Sequence, residues 1–281
     1  MTSMTPPGIR AALRRPDLRW LLLLLAAAAA VKAPSMGLWF HSPDDWISLD
    51  TGQKLAHLDV GAFFRLFVED TGRRSGRPVP FLLWGLDWAL FKTWAPGYYA
   101  TNLLLNLAAG ALLWTLAFRG TKSIVAAAVA TAWFLFNGVT NQGVTFLSAR
   151  DDDLVTLFFL AAVVAWPRAQ ETLRGRLFVG ALTAAAIFSK ATGLALPAVL
   201  VLVDVLALGP RAALQPRRAI RVYAAPAAAV LLFLPALVGL VGSNARMLGA
   251  GAQQGGPAAV ARVLGITLSS SLLPFAASYR Y

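Results

Sequence analysis

Apolar runs recur along almost the whole chain, at about 18–40, 79–95, 98–118, 122–140, 153–167, 176–191, 192–208, 221–241 and 258–275. At roughly 1.5 Å per helical residue, runs of this length approach or exceed the ~30 Å hydrocarbon core of a bilayer. The chain therefore reads as all-α, a polytopic transmembrane helical bundle. With 58% hydrophobic and 14% charged residues, a soluble fold is not expected. The net charge of +12 is spread over short inter-helix segments, as membrane topology requires, so it does not indicate a nucleic-acid partner. There is no cysteine, and His41 and His57 are the only histidines, which leaves no disulfide framework, no thiolate and no Cys/His metal site.

Arg10, Arg14 and Arg15 precede a Leu/Ala run, so the first segment reads as a retained signal anchor with a cytoplasmic N-terminus. Basic residues cluster again at Arg119/Lys122, at Arg168/Arg174/Arg176 and at Arg211/Arg217/Arg218/Arg221. The positive-inside rule puts all four clusters on the cytoplasmic side, which requires one of the first three runs not to cross. That run is 79–95: it holds Asp87 and Lys92, is marked by Trp84, Trp88 and Trp94, and follows Gly76-Arg77-Pro78, as suits an interfacial or re-entrant helix. The first loop then lies outside the cytoplasm and carries interfacial helices.

On this topology the polar residues that lipid packing does not explain fall on one, extracytoplasmic face. Asp44 and Asp45 follow the anchor; one is a candidate general base with an acidic neighbour, or the pair caps a short helix starting at Trp46. Around Arg150-Asp151-Asp152-Asp153, an arginine beside three acids can bind a phosphate diester, be neutralised by its neighbours, or cap the next helix. Lys190, between two apolar runs, needs an outward path or an anionic partner. Arg65, Arg73 and Arg74 run against the positive-inside tendency, which points either to another use or, above all for Arg73 and Arg74, to lipid headgroups.

The order of these features resembles the GT-C glycosyltransferases, and among them the protein O-mannosyltransferases linked to tetratricopeptide repeats and their bacterial relatives. The likeness is carried by Asp44 and Asp45, Arg77-Pro78, Pro96, Tyr98 and Asn102, Arg150 with Asp152, and Ser189-Lys190, with Leu273-Pro274-Phe275 and Ser278-Tyr279 similar to a later loop. The chain departs from that pattern at Tyr99, Asn106, Asn137, Gln142 and Ala191.

The resemblance implies a GT-C-like bundle in the plasma (inner) membrane and residues 1–281 as one integral membrane domain, the N-terminal part of a longer module. It implies an enzyme that moves a sugar from a polyprenyl-phosphate donor to a protein or glycan acceptor outside the cytoplasm. Asp44 or Asp45 would be the base, and Arg150 and Lys190 would stabilise the charge on the leaving phosphate. Arg77 would serve the same anion or orient the interfacial helix, with Asp152, Asn102 and Tyr98 in support. No metal ligand is assigned, and a divalent-metal requirement stays open. The alternative is a non-catalytic membrane scaffold or a carrier of lipid-phosphate sugars.

Overall fold

A computed structural model describes residues 16–59, 61 and 77–235, and every regular element among them is helical. The expectations at Arg10, Arg14, Arg15, Arg65, Arg73, Arg74, 258–275 and the C-terminal Leu273 to Tyr279 lie outside these residues. Among the described residues, four helical stretches are long and apolar enough to cross a membrane: Asp17–Gly37, Ala95–Thr121, Ala191–Leu208 and Pro216–Pro235.

The first stretch consists of α1 (Pro16–Lys32) and a 3-10 turn (Ala33–Gly37), and α2 (Pro43–Ala56) follows. α2 begins one turn earlier than expected from Trp46, because Ser42 is the N-cap. The Ser42 Oγ accepts the Asp44 N–H at 3.1 Å, and the Asp45 Oδ2 accepts the Ser42 N–H at 3.1 Å in return, a reciprocal cap. α3 (Pro78–Phe91) opens on prolines, whose fixed φ suits a first turn, and ends at Lys92, whose positive φ reverses the chain. The expected 79–95 run is thus cut before Ala95, where α4 (Ala95–Thr121) begins.

Both ends of α3 lie at the same end of the bundle. Arg77 binds Asp151, and the Lys92 carbonyl accepts from the Tyr98 hydroxyl at 2.8 Å in the first turn of α4. A helix of 14 residues spans only ~21 Å, short of the hydrocarbon core. α2 and α3 pack closely because Gly52 meets the Trp84 backbone; a Cβ there would lie 2.7 Å from the Trp84 carbonyl oxygen.

The expected 122–140 run divides into α5 (Ile124–Phe136) and α6 (Gly138–Thr145). On α5, Val125, Val129 and Trp133 recur every four residues, and each is more than 60% exposed, a stripe suited to lipid. A 3-10 turn (Leu147–Ala149) leads into α7 (Arg150–Ala169), which is followed by α8 (Leu173–Ser189), a 3-10 turn (Ala191–Ala195), α9 (Leu196–Leu208), the short α10 (Pro210–Ala213) and α11 (Pro216–Pro235).

Between helices in lipid the hydrophobic effect gives no net drive, so close packing and internal polar contacts hold the bundle. Trp166, Val179, Ala186, Leu196 and Leu200 fill the seam of α7, α8 and α9. Gly180 admits α11 so closely that a Cβ would sit 2.7 Å from the Ala225 Cβ. Asp204 of α9 ties three helices together, accepting from Trp166 Nε1 at 2.9 Å, Gln170 Nε2 at 2.8 Å, Arg218 Nη2 at 2.8 Å and the Tyr223 hydroxyl at 2.7 Å.

Hydrogen bonds also fix the direction of the helices. Tyr99 donates to the Trp39 carbonyl and Lys32 to Asn106, so α1 runs antiparallel to α4. Arg119 donates to the Val164 carbonyl, and Arg176 and Arg218 donate to Gln170, so three of the basic clusters meet at the end of the bundle opposite Asp44.

Candidate functional site

At the end where α1 finishes and α7 begins, a cavity of about 190 Å³ is lined by Asp44, Ser48, Arg77, Trp84, Ser148 and Asp151, together with Phe81 and Phe146. That volume exceeds the ~30 Å³ that one water occupies in the liquid several times over. Acid, base and aromatic faces together give it the chemistry to hold a polar, hydroxyl-rich group against a cation.

The two members of the aspartate pair have separate surroundings. Asp45 is fully buried, and both its oxygens are engaged by backbone: Oδ2 accepts from Ser42 and His41, and Oδ1 accepts the Ser148 N–H at 3.1 Å. It joins the start of α2 to the turn before α7. Asp44, one residue earlier on the helix, turns toward the cavity. Of the pair, only Asp44 lines the cavity.

Lys190 does not line the cavity, nor does Arg150, which was expected beside it on the leaving phosphate. Arg150 is fully buried, its Nη2 lies 2.8 Å from the Asp87 Oδ2, and its guanidinium carbon sits 4.4 Å from the Trp84 ring centroid. A guanidinium is desolvated at tolerable cost only when an opposite charge and polarisable faces surround it, which Asp87, Trp84 and Tyr98 supply. Nε and Nη1 have no hydrogen-bond acceptor among the described residues. Asp87, expected as a surface marker of an interfacial helix, is 1% exposed. Burial pushes its carboxyl up, Arg150 draws it down, and Thr101 donates to Oδ1 at 2.8 Å.

The other expected cations do converge. Arg77 Nη1 lies 2.9 Å from Asp151 Oδ2, and Lys190 Nζ lies 3.9 Å from the same oxygen and 2.5 Å from Asp152 Oδ1. Asp151, which sequence reasoning did not single out from its neighbours, is the hub of this chain of charges. Burial pushes its carboxyl up, Lys190 pulls it down, Asp152 adds to the rise and Arg77 opposes it.

Tyr98 and Asn102 brace the site. Tyr98 is buried among Phe40, Trp84 and Phe91, and Asn102 Nδ2 donates to the Gly143 carbonyl at 2.8 Å, pinning the segment before α7 to α4. Behind them is a buried polar line that sequence reasoning missed: Lys32 Nζ donates to Asn106 Oδ1 at 2.7 Å, and Asn106 Nδ2 donates to Asp153 Oδ1 at 3.1 Å. The available signal was the presence of ionisable residues inside apolar helices, which are costly without partners. Among the described residues no three His, Asp or Glu side chains converge as a metal site needs.

Comparison with protein-family models, curated proteins and solved structures returned no match. The site's geometry is therefore what bears on function.

Proposed function

We propose that this chain is a membrane glycosyltransferase of GT-C type, taking a sugar from a polyprenyl-phosphate donor in the plasma membrane and passing it to a protein or glycan acceptor outside the cytoplasm. The observation that carries this reading is one cavity lined by Asp44, Asp151 and the cation Arg77, with Lys190, outside the lining, 3.9 Å from the Asp151 carboxylate. In the reaction Asp44 takes the proton of the acceptor hydroxyl as its oxygen bonds to the anomeric carbon of the sugar. The bond from that carbon to the phosphate oxygen breaks, and the electron pair leaves with polyprenyl phosphate. Fixed cations favour that leaving group because its charge grows in the transition state. Arg77 offers a planar fork to phosphate and Lys190 a point charge, each released in part from Asp151 and Asp152. The aromatic faces of Trp84, Phe81 and Phe146 suit the apolar side of a sugar ring.

The mutual pairing of Arg77 with Asp151 and of Lys190 with Asp152 favours a second reading. In it, the charges form a structural clamp and the protein is a scaffold or a carrier of lipid-phosphate sugars. Reconstituting the protein in proteoliposomes with polyprenyl-phosphate-linked mannose and following released polyprenyl phosphate separates the two. Release matched by sugar on the acceptor supports the transferase; donor that is bound but never cleaved supports the carrier.

A further inference from the structure

At the end of the bundle remote from Asp44, a second cavity of about 360 Å³ opens between α4, α7 and α8, lined by Arg119, Arg168, Val164, Ala165, Gly175 and Phe178. Its two polar side chains are both arginines, and no carboxylate lines it among the described residues. Arg119 is fixed across the gap by the bond from its Nη1 to the Val164 carbonyl at 3.2 Å. The Arg168 side chain makes no hydrogen bond or ion pair among the described residues, and it projects from the last turn of α7, where the helix dipole is already favourable to a cation. Arg218, at the same end, is instead matched by Asp204. Two arginines left unmatched beside a helix seam thus form a positive pocket that this chain does not neutralise.

The wall below the arginines is apolar. It is formed by Val164, Ala165 and Phe178, and on the helix that carries Phe178, itself 56% exposed, Leu173 and Leu177 are exposed as well. A free anion has no use for that surface, whereas a lipid has a phosphate at one end and acyl chains at the other. Gly175 permits the close approach, since a Cβ there would lie 2.6 Å from the Ala169 carbonyl oxygen and α8 would be forced away from α7. We propose that this cavity binds the headgroup phosphate of an anionic phospholipid, with Arg119 and Arg168 on the phosphate and an acyl chain along Phe178. Guanidinium is suited to the role because it is weakly hydrated and presents paired donors to phosphate oxygens. The site is distinct from the donor cavity and does not rest on the transferase reading.

The test is native mass spectrometry of the purified protein titrated with phosphatidylglycerol, with phosphatidylcholine and inorganic phosphate as separate arms. Wild type should hold phosphatidylglycerol through mild activation, with phosphatidylcholine weaker and phosphate not competing. Arg119→Gln/Arg168→Gln should lose affinity for phosphatidylglycerol on the order of tenfold. Arg211→Gln/Arg217→Gln, basic residues of the same end that do not line the cavity, should keep it. If the double variant fails to fold, Arg168→Gln alone carries the test, because its side chain holds nothing together within the described residues. Wild-type retention in the cavity variants, an equal loss in the control pair, or full competition by inorganic phosphate would overturn the proposal.

Discussion

Arg150 and Asp87 are 63 residues apart in sequence, yet Nη2 of one lies 2.8 Å from Oδ2 of the other, with both side chains almost wholly buried. This pair fastens α3, which does not cross the bundle, to the first turn of α7. It turns what looked like a substrate contact into the support on which the cavity wall stands.

Removing one partner strands the other charge without water. Asp87→Leu or Arg150→Met should each lower stability by about 3–5 kcal/mol, whereas Asp87→Leu with Arg150→Met should recover much of that loss. Thermal unfolding in detergent checks this. A loss in the double variant equal to the sum of the two single losses would mean that the pair is not coupled.

Asp45 should behave as a structural residue. Asp45→Ala frees three backbone N–H groups at the junction of α2 and the turn before α7, a loss of about 1–3 kcal/mol. Any fall in activity should track the folded fraction, measured by comparing turnover with thermal stability across temperature.

Why some of this was legible beforehand and some was not follows from geometry. Runs such as 98–118 and 176–191 declared their helices because an apolar segment of that length has few other solutions in lipid. The convergence of Arg77, Asp152 and Lys190 followed from counting basic clusters, which sorts loops to one side or the other. The three acids at 151–153 could not be ranked in that way. Steps of about 100° along a helix send them in different directions: Asp151 to Arg77, Asp152 to Lys190 and Asp153 inward to Asn106. The Asp87–Arg150 pairing depends on how α3 folds back, which no local pattern encodes.

The charge hub gives a pH dependence. Burial raises the Asp151 carboxyl, so as pH falls it takes up a proton before ordinary carboxylates do, and Arg77 and Lys190 are left with less counter-charge. Affinity for a polyprenyl-phosphate ligand should therefore increase as pH falls through that raised range. Asp151→Asn should bind more tightly at neutral pH and show a flatter profile, measured by titration calorimetry in nanodiscs.

The arrangement of ends predicts topology. Reporters fused near residues 120, 172 and 214 should read cytoplasmic, and one near residue 146 external. A cytoplasmic reading at 146 would put Asp44 on the wrong side for an extracytoplasmic acceptor.

The central claim is that Asp44, and not Asp45, takes the acceptor proton. The direct measurement is single-turnover sugar transfer by Asp44→Asn in proteoliposomes, set beside its affinity for the polyprenyl-phosphate donor. Since general-base catalysis contributes roughly 10²–10⁴-fold, the transfer rate should fall by about that factor while donor binding stays close to wild type. Wild-type transfer by Asp44→Asn would contradict the account and leave the cavity as a lipid-phosphate clamp.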